Sequence, residues 1–103
     1  MENKKTLKFY PSAERDLEEI FQYISVKLCN PDAALNLINE FGKAFDNICY
    51  FPESCPLVNN DIIKDKTMRK LIVNNYIAFY RVKNEEVQVL RVLYSMRKYE
   101  VIL

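Results

Sequence analysis

The chain has 103 residues, of which half are hydrophobic and 28% charged, a composition typical of one folded domain rather than a disordered segment. It contains no histidine and one glycine, which excludes histidine-dependent nucleophiles, His-ligated zinc and glycine-rich phosphate loops. No apolar run approaches the roughly 20 residues of a membrane span, and the charged N-terminus is unlike a signal peptide, so we expect a single cytoplasmic domain over residues 1–103 without contact to a membrane.

The first third of the chain predicts a strand followed by a helix. Residues 6–10 alternate, with Leu7 and Phe9 on one face of a short strand. Pro11 ends this strand, and Ser12 is a good N-cap for a helix that begins at Ala13. The apolar stripe of this helix comprises Leu17, Ile20, Phe21, Ile24 and Leu28.

A second helix follows after a short break. Asn30 can cap it, with Pro31 at its first position. Gly42 lies inside this helix at a cost of about 1 kcal/mol relative to alanine, which indicates close approach of a neighbouring element. Because the connection is so short, we expect the two helices to form an antiparallel hairpin. The second apolar stripe comprises Ala34, Leu37, Ile38, Phe41, Phe45 and Ile48.

The C-terminal part changes from a helical to an alternating pattern. Two prolines mark a loop at 51–56, and residues 69–73, 76–83 and 87–94 predict three strands. Asn74-Asn75 and Asn84-Glu85 suit the tight turns between them. The last strand is apolar on both faces, which is typical of a central strand. The predicted fold is α+β, in the order β-α-α-β-β-β, with the helical hairpin on one face of an antiparallel sheet.

Charge is distributed unevenly between the two parts. Residues 1–61 carry six basic and ten acidic side chains, and residues 62–103 carry nine basic and four acidic ones. Such a basic part fits a nucleic-acid surface, an acidic protein partner, or a solvated sheet edge with its tyrosines in the core. The residues concerned are Lys64, Lys66, Arg69, Lys70, Arg81, Arg91, Arg97 and Lys98, interleaved with Tyr76, Tyr80, Tyr94 and Tyr99.

Neither a metal nor another cofactor is expected. The acidic residues Glu14, Asp16, Glu18 and Glu19 favour a solvated first turn of helix over a metal site. The three cysteines have no paired spacing, which is typical of reduced thiols. An enzyme without histidine could still cleave RNA with a lysine or tyrosine as base and an arginine stabilising phosphate charge.

Three segments together resemble the RelE/ParE superfamily of toxins from type II toxin–antitoxin modules. Residues 10–20 are similar to the family's "P-x-A-x-x-D-L-x-x-I" helix, and Asn30-Pro31 and Phe51-Pro52 flank the second helix as in the family. Residues 76–82 and 89–99 resemble the "Y-x-x-x-Y-x-V … R-V-L-H-G-x-R-D-Y" ending of ParE-like, plasmid-stabilisation toxins, with Tyr94-Ser95 in place of His-Gly.

The ParE branch is the better match. In the branch that cleaves mRNA on the ribosome, basic residues stand where this chain has Met68 and Ile77, and only Lys70 and Arg97 match. The resemblance therefore implies a non-enzymatic toxin that inhibits DNA gyrase and causes growth arrest. It also implies a ParD-like antitoxin that neutralises the toxin by wrapping its hairpin and sheet in a hetero-oligomer.

The resemblance and the charge pattern together suggest site residues. We expect a target-binding surface of Arg69, Lys70, Arg91, Arg97, Lys98 and Tyr99. The alternative function is a RelE-like, ribosome-dependent mRNA endoribonuclease. Its catalytic set would be Lys70 and Arg97, with Tyr94 or Tyr99 transferring the proton.

Overall fold

Two helices cover one face of a four-stranded sheet in the computed structural model, which describes residues 4–58 and 63–96. The predicted α+β class and the order of strands and helices are confirmed. In chain order the elements are β1 (Thr6–Phe9), α1 (Pro11–Gln22), a π-helical turn (Tyr23–Lys27), α2 (Pro31–Tyr50), β2 (Arg69–Val73), β3 (Tyr76–Lys83) and β4 (Glu86–Tyr94).

The strand order across the sheet is β1-β4-β3-β2. Strands β2, β3 and β4 are antiparallel as predicted, whereas β1 joins β4 in parallel, so the sheet is mixed. Alternation of apolar residues specifies the face of each side chain but not the direction of a strand, and for this reason it did not predict the parallel pair. The central position predicted for β4 is confirmed. Asn74, Asn84 and Glu85 have positive φ at the two turns, which asparagine tolerates well.

The first helix begins two residues earlier than predicted. It starts at Pro11, and Tyr10 occupies the N-cap position without a side-chain cap bond. Ser12 is therefore not the N-cap, and its hydroxyl donates to the carbonyl of Leu90 at 2.8 Å. Strand β1 pairs with β4 only as far as Val89. The carbonyl of Leu90 therefore needs a donor from elsewhere, and Ser12 of α1 provides it.

The junction between the helices contains the π-helical turn. The amide of Leu28 donates to the carbonyl of Tyr23 at 3.0 Å, and Cys29 then adopts a positive φ of 52°. The carboxamide oxygen of Asn30 accepts from the amide of Ala33 at 3.1 Å, which confirms the predicted cap of α2. The chain thus reverses within a few residues, as the predicted hairpin requires.

Apolar side chains pack on both faces of the sheet. The main core lies between the sheet and the helices and includes Phe41, Phe45, Ile48, Tyr80 and Val89. A second cluster lies on the opposite face, which we call the far face. Strand β4 contains a β-bulge at Leu90. Val89 pairs with Tyr80 and Arg91 pairs with Phe79, so Leu90 has no partner residue on β3. The second cluster comprises Val58, Ile63, Met68, Ile77, Phe79 and Leu93.

Gly42 does not mark the close approach that its place in α2 suggested. A Cβ atom built at this position meets no atom within 4 Å, so the glycine faces open space in the free protein. Within the described residues, no helix is both long and apolar enough to span a membrane.

Candidate functional site

Arg69 holds the loop that follows α2. Its guanidinium donates to the carbonyl of Cys55 at 2.6 Å and to that of Glu53 at 3.5 Å. Tyr80, its partner across the β2–β3 ladder, donates through its hydroxyl to the carbonyl of Pro52 at 2.8 Å. Burial raises the pKa of Tyr80 well above its usual range, so this phenol remains a donor. The predicted site residue Arg69 therefore has a structural role in the free protein.

Arg91 forms a bidentate ion pair with Asp16 of α1. Its guanidinium donates to the Asp16 carboxylate at 2.7 and 3.0 Å, and the same carboxylate accepts from the amide of Val92 at 2.9 Å. The hydrogen bond with Asp16 raises the pKa of Arg91. Asp16 is only 8% exposed, so the prediction of a solvated acidic cluster is wrong at this residue. The sequence held a signal for this, because Asp16 shares a helical face with Ala13 and Ile20.

Arg81 organises a polar network on the far face. It donates to the side-chain oxygen of Gln88 and to the hydroxyl of Tyr10, both at 2.8 Å, and to the carboxylate of Asp65 at 3.1 Å. The hydrogen bond with Asp65 raises the pKa of Arg81. The pKa of Asp65 is lowered, chiefly because the Thr67 hydroxyl donates to it. The network ties residues 63–68 to the sheet, and composition alone did not reveal it.

The predicted basic residues do not form one surface with exposed tyrosines. Tyr80 is fully buried and Tyr76 is half-buried, so they belong to the core, which was one of the alternatives. Tyr94 is exposed and lies edge-to-face with Tyr76 at 5.8 Å between ring centroids. Three more predicted site residues, Arg97, Lys98 and Tyr99, lie outside the described residues.

Lys70 and Tyr94 lie on opposite faces of the sheet. Lys70 pairs with Phe79, which belongs to the second cluster on the far face. Tyr94 pairs with Tyr76, which packs against the main core on the side of the helices. RNA cleavage in which Lys70 and Tyr94 act together on one phosphate is therefore not supported by this geometry.

The two positions that carry basic residues in the mRNA-cleaving branch are filled by the second cluster. Met68 is 6% exposed and Ile77 is 8% exposed, and both pack with Phe79. Such packing leaves no charge to hold a phosphate at these two positions. Among the described residues, no group of three or more His, Cys, Asp or Glu side chains could hold a metal ion either.

The helical hairpin exposes a group of large apolar side chains, which we call the hairpin surface. Exposed apolar patches on small proteins mark interaction sites. A groove of about 630 Å³ runs from this surface to the end of β4 and is lined by Tyr23, Leu28, Tyr76 and Tyr94, with Asp16 and Glu19 at its side. Leu28 and Ile38 belong to the predicted apolar stripes, but both are exposed, and the other three residues were not predicted. The hairpin surface comprises Tyr23, Val26, Leu28, Leu35 and Ile38.

Comparisons with known proteins bear on this arrangement. A family model described as the ParE toxin of the type II toxin–antitoxin system parDE matches residues 7–99. The fold is similar to a chain of the chromosomal ParDE toxin–antitoxin system from P. aeruginosa, with a TM-score of 0.72, 22% identity, and coverage of 89% of this chain and 97% of that one. It is also similar to a chain of the RelBE2 toxin–antitoxin complex from Mycobacterium tuberculosis, with a TM-score of 0.61, 22% identity, and coverage of 88% and 98% respectively. A search of curated protein sequences finds no match.

Proposed function

The chain belongs to the ParE family of type II toxins, and from this membership we propose that it inhibits DNA gyrase and is neutralised by a ParD-like antitoxin. The observation that carries the proposal is the family match over residues 7–99, which spans every strand and helix except the first residue of β1. The toxin would act in the bacterial cytoplasm, where it would meet chromosomal DNA and the topoisomerase.

The hairpin surface is the proposed docking site for the antitoxin. Val26 is 66% exposed and Leu28 is 55% exposed, and burial of such side chains contributes about 1.5–3 kcal/mol each. Beside them, Glu18 and Glu19 line a second, shallower cavity. An antitoxin segment with apolar side chains flanked by basic ones fits this combination of surface and charge.

The proposed target contact lies toward the C-terminal end of the chain. Lys70, Arg97, Lys98 and Tyr99 would reach the target directly. Arg69 and Arg91 belong to the same predicted set, but each already has partners within the protein. We propose that these two support the target contact by holding the loop after α2 and the end of β4 in place.

The mRNA-cleaving alternative has less support. It needs Lys70 and Arg97 together with Tyr94 or Tyr99. Lys70 and Tyr94 lie on opposite faces of the sheet, and Met68 and Ile77 bury apolar side chains where that branch carries charge.

Induction of the chain in a bacterium tests the proposal. We expect growth arrest with DNA breaks and intact mRNA. In the Arg97→Ala variant we expect neither arrest nor DNA breaks, and the mRNA stays intact. The matched control is Lys27→Ala, which removes one exposed cation from the hairpin. Growth arrest with mRNA cut at translated codons would contradict gyrase inhibition and support the nuclease function. Toxicity of a folded Arg97→Ala protein would reject the proposed target contact.

The docking site needs a separate test with the cognate ParD-like antitoxin. Val26→Glu places a charge in the centre of the hairpin surface, and we expect at least a 30-fold loss of affinity, since a central contact contributes about 2 kcal/mol. Ile72→Glu is the matched control, because Ile72 is 63% exposed on the far face. If the antitoxin binds both variants with equal affinity, the hairpin surface is not its docking site.

A further inference from the structure

We propose that the far face carries a contact surface for the phosphate backbone of double-stranded DNA, formed by Lys8, Lys64 and Lys83. We call this the lysine surface. The choice of duplex DNA rests on the proposed function, because gyrase acts on a DNA duplex. The inference names a second contact of the toxin, with the nucleic acid that its proposed target holds.

The sheet brings the three lysines to one side of the molecule. Lys8 pairs with Gln88, which in turn pairs with Arg81, so these residues form one row across β1, β4 and β3. Leu7 and Phe9 pack against the main core, so Lys8 faces the opposite side. Lys64 and Lys83 line one cavity of about 620 Å³ together with Arg81. Since neighbouring strands lie about 4.8 Å apart, β1 and β3, which carry Lys8 and Lys83 on either side of β4, are about 10 Å apart across the sheet.

The lysine surface differs from the lysines near the N-terminus, which have acidic partners among the described residues. Lys4 pairs with Asp46 at 2.8 Å, and Lys5 pairs with Glu85 at 2.7 Å. The exposed side chains of Lys8, Lys64 and Lys83 make no ion pair with any described residue. An ion pair with a phosphate would therefore not compete with one inside this part of the protein.

The acidic groups near the lysine surface are already engaged. Arg81 pairs with Asp65 at 3.1 Å, and the carboxylate of Glu86 accepts from the side chain of Gln88 at 3.0 Å. Lys5 pairs with Glu85 at the turn between β3 and β4. Lys5 and Arg81 offset the charges of Glu85 and Asp65. The three lysines of the lysine surface outnumber the remaining carboxylate, Glu86, so the net charge here is positive.

The chemistry of the surface favours a DNA duplex over two other partners. Single-stranded RNA is bound largely by stacking its bases on free aromatic rings, whereas the ring of Tyr10 lies under the guanidinium of Arg81 at 5.8 Å. Protein–protein interfaces are depleted in lysine and enriched in aromatic residues. Exposed lysines suit phosphate contacts that carry no sequence information.

Fluorescence anisotropy of a labelled 20-base-pair duplex of mixed sequence, titrated with the purified full-length toxin, tests the inference. Three phosphate contacts predict a slope of log affinity against log salt concentration of about −2.7, or a loss of about 40-fold between 50 and 200 mM salt. We expect the triple variant Lys8→Gln, Lys64→Gln, Lys83→Gln to make this slope shallower by about 2.7. The control is Arg15→Gln, Lys27→Gln, Lys43→Gln, which removes the same charge from the helices and should leave the slope unchanged.

Several outcomes would overturn the inference. The slope could be the same for the triple variant and the wild type while thermal melting shows both folded, or the control could lose as much affinity as the triple variant. Tighter binding to a single-stranded RNA or to a polyglutamate peptide than to the duplex would assign the surface to another partner. A gyrase assay separates this inference from the proposed function. If the toxin inhibits gyrase and the triple variant inhibits it equally, only the lysine surface fails, whereas duplex binding without any inhibition of gyrase would reject only the proposed function.

Discussion

The two faces of the sheet stabilise the protein in different ways. The face under the helices is closed by aromatic and branched side chains, among them Phe41, Phe45 and Ile48. The far face combines the second cluster with the network around Arg81. The helices also expose the apolar side chains of the hairpin surface. The far face exposes the three lysines of the lysine surface. One side of the molecule therefore offers an apolar contact, and we propose an electrostatic one on the other.

Arginine and lysine side chains have different roles in this fold. Arg69, Arg81 and Arg91 each donate at least two hydrogen bonds within the protein. The planar guanidinium is suited to such fixed geometry, whereas a lysine ammonium is a mobile point charge. A count of basic residues treats both types alike. In the structure these three arginines hold the fold, whereas the lysines of the lysine surface make no ion pair with any described residue.

The largest effect is expected where α1 meets the edge of β4. Asp16→Ala removes the partner of Arg91 and leaves the amide of Val92 without its acceptor, which should lower the free energy of unfolding by about 3 kcal/mol. Urea unfolding measures this loss. The control Glu18→Ala removes an exposed charge from the same helix and should change stability by less than about 0.5 kcal/mol. Equal losses in both variants would show that the ion pair does not hold α1.

The pH dependence of stability tests the contribution of Tyr80 to the core under the helices. Because burial raises its pKa in the folded state, the unfolded chain releases this proton first, near pH 10. The stabilisation is fully present below that pH and is lost as the pH rises further. Tyr80→Phe should cost about 1 kcal/mol at pH 7 through the lost bond to Pro52.

Unfolding measured from pH 7 to 11 checks both parts of this expectation. Stability of the Tyr80→Phe variant should decline less above pH 10 than that of the wild type. Tyr50→Phe serves as the control, since Tyr50 is partly exposed at the end of α2. Parallel curves for the wild type and Tyr80→Phe would contradict a buried, protonated phenol.

A smaller effect is expected on the far face. Asp65→Asn removes the charge that pairs with Arg81 and should lower stability by about 1 kcal/mol at pH 7. The pKa of Asp65 is lowered in the folded state, so its stabilisation is present above the unfolded value near 3.9 and is lost as the pH falls through the folded value. The variant should therefore lose less stability than the wild type between pH 5 and 2.

Acid unfolding followed by circular dichroism makes this comparison. Asp46→Asn breaks the exposed pair with Lys4 and should cost less stability than Asp65→Asn, because solvent screens an exposed pair. A larger cost for Asp46→Asn than for Asp65→Asn would reverse the ranking of the two pairs.

The smallest effect is expected at Gly42, on the outer side of α2. Since a Cβ atom there meets nothing within 4 Å, Gly42→Ala should raise stability by about 0.5–1 kcal/mol by favouring the helix. The reverse change at Ala44, which is half-buried on the same helix, should lower stability by at least as much. A loss of stability in Gly42→Ala, measured by thermal melting, would mean that another part of the protein approaches this helix closely.

Local signals predicted much of the fold. The bounds of β2 and β3 match the alternating segments 69–73 and 76–83, because alternation between two asparagine-containing turns leaves little freedom. Asn30 caps α2 as expected. The parallel pairing of β1 was not predicted, since it depends on where the helical hairpin returns the chain.

The candidate site was less predictable than the fold. The partners of Arg69, Arg81 and Arg91 are between 7 and 75 residues away in sequence. Residue type alone gives no information on contacts over such distances. Asp16 was predicted to be solvated, although its position on one helical face with Ala13 was a signal for burial toward the sheet. A carboxylate on an apolar stripe is a signal that a buried cation or amide lies opposite.

The most direct test of the proposed activity is plasmid supercoiling by purified DNA gyrase in the presence of the purified toxin. We expect the toxin to reduce supercoiling in proportion to its concentration and to accumulate cleaved plasmid, and a molar excess of the cognate antitoxin to restore activity. Unchanged supercoiling at saturating toxin, together with mRNA cleavage in a translation assay, would contradict gyrase inhibition and favour the nuclease.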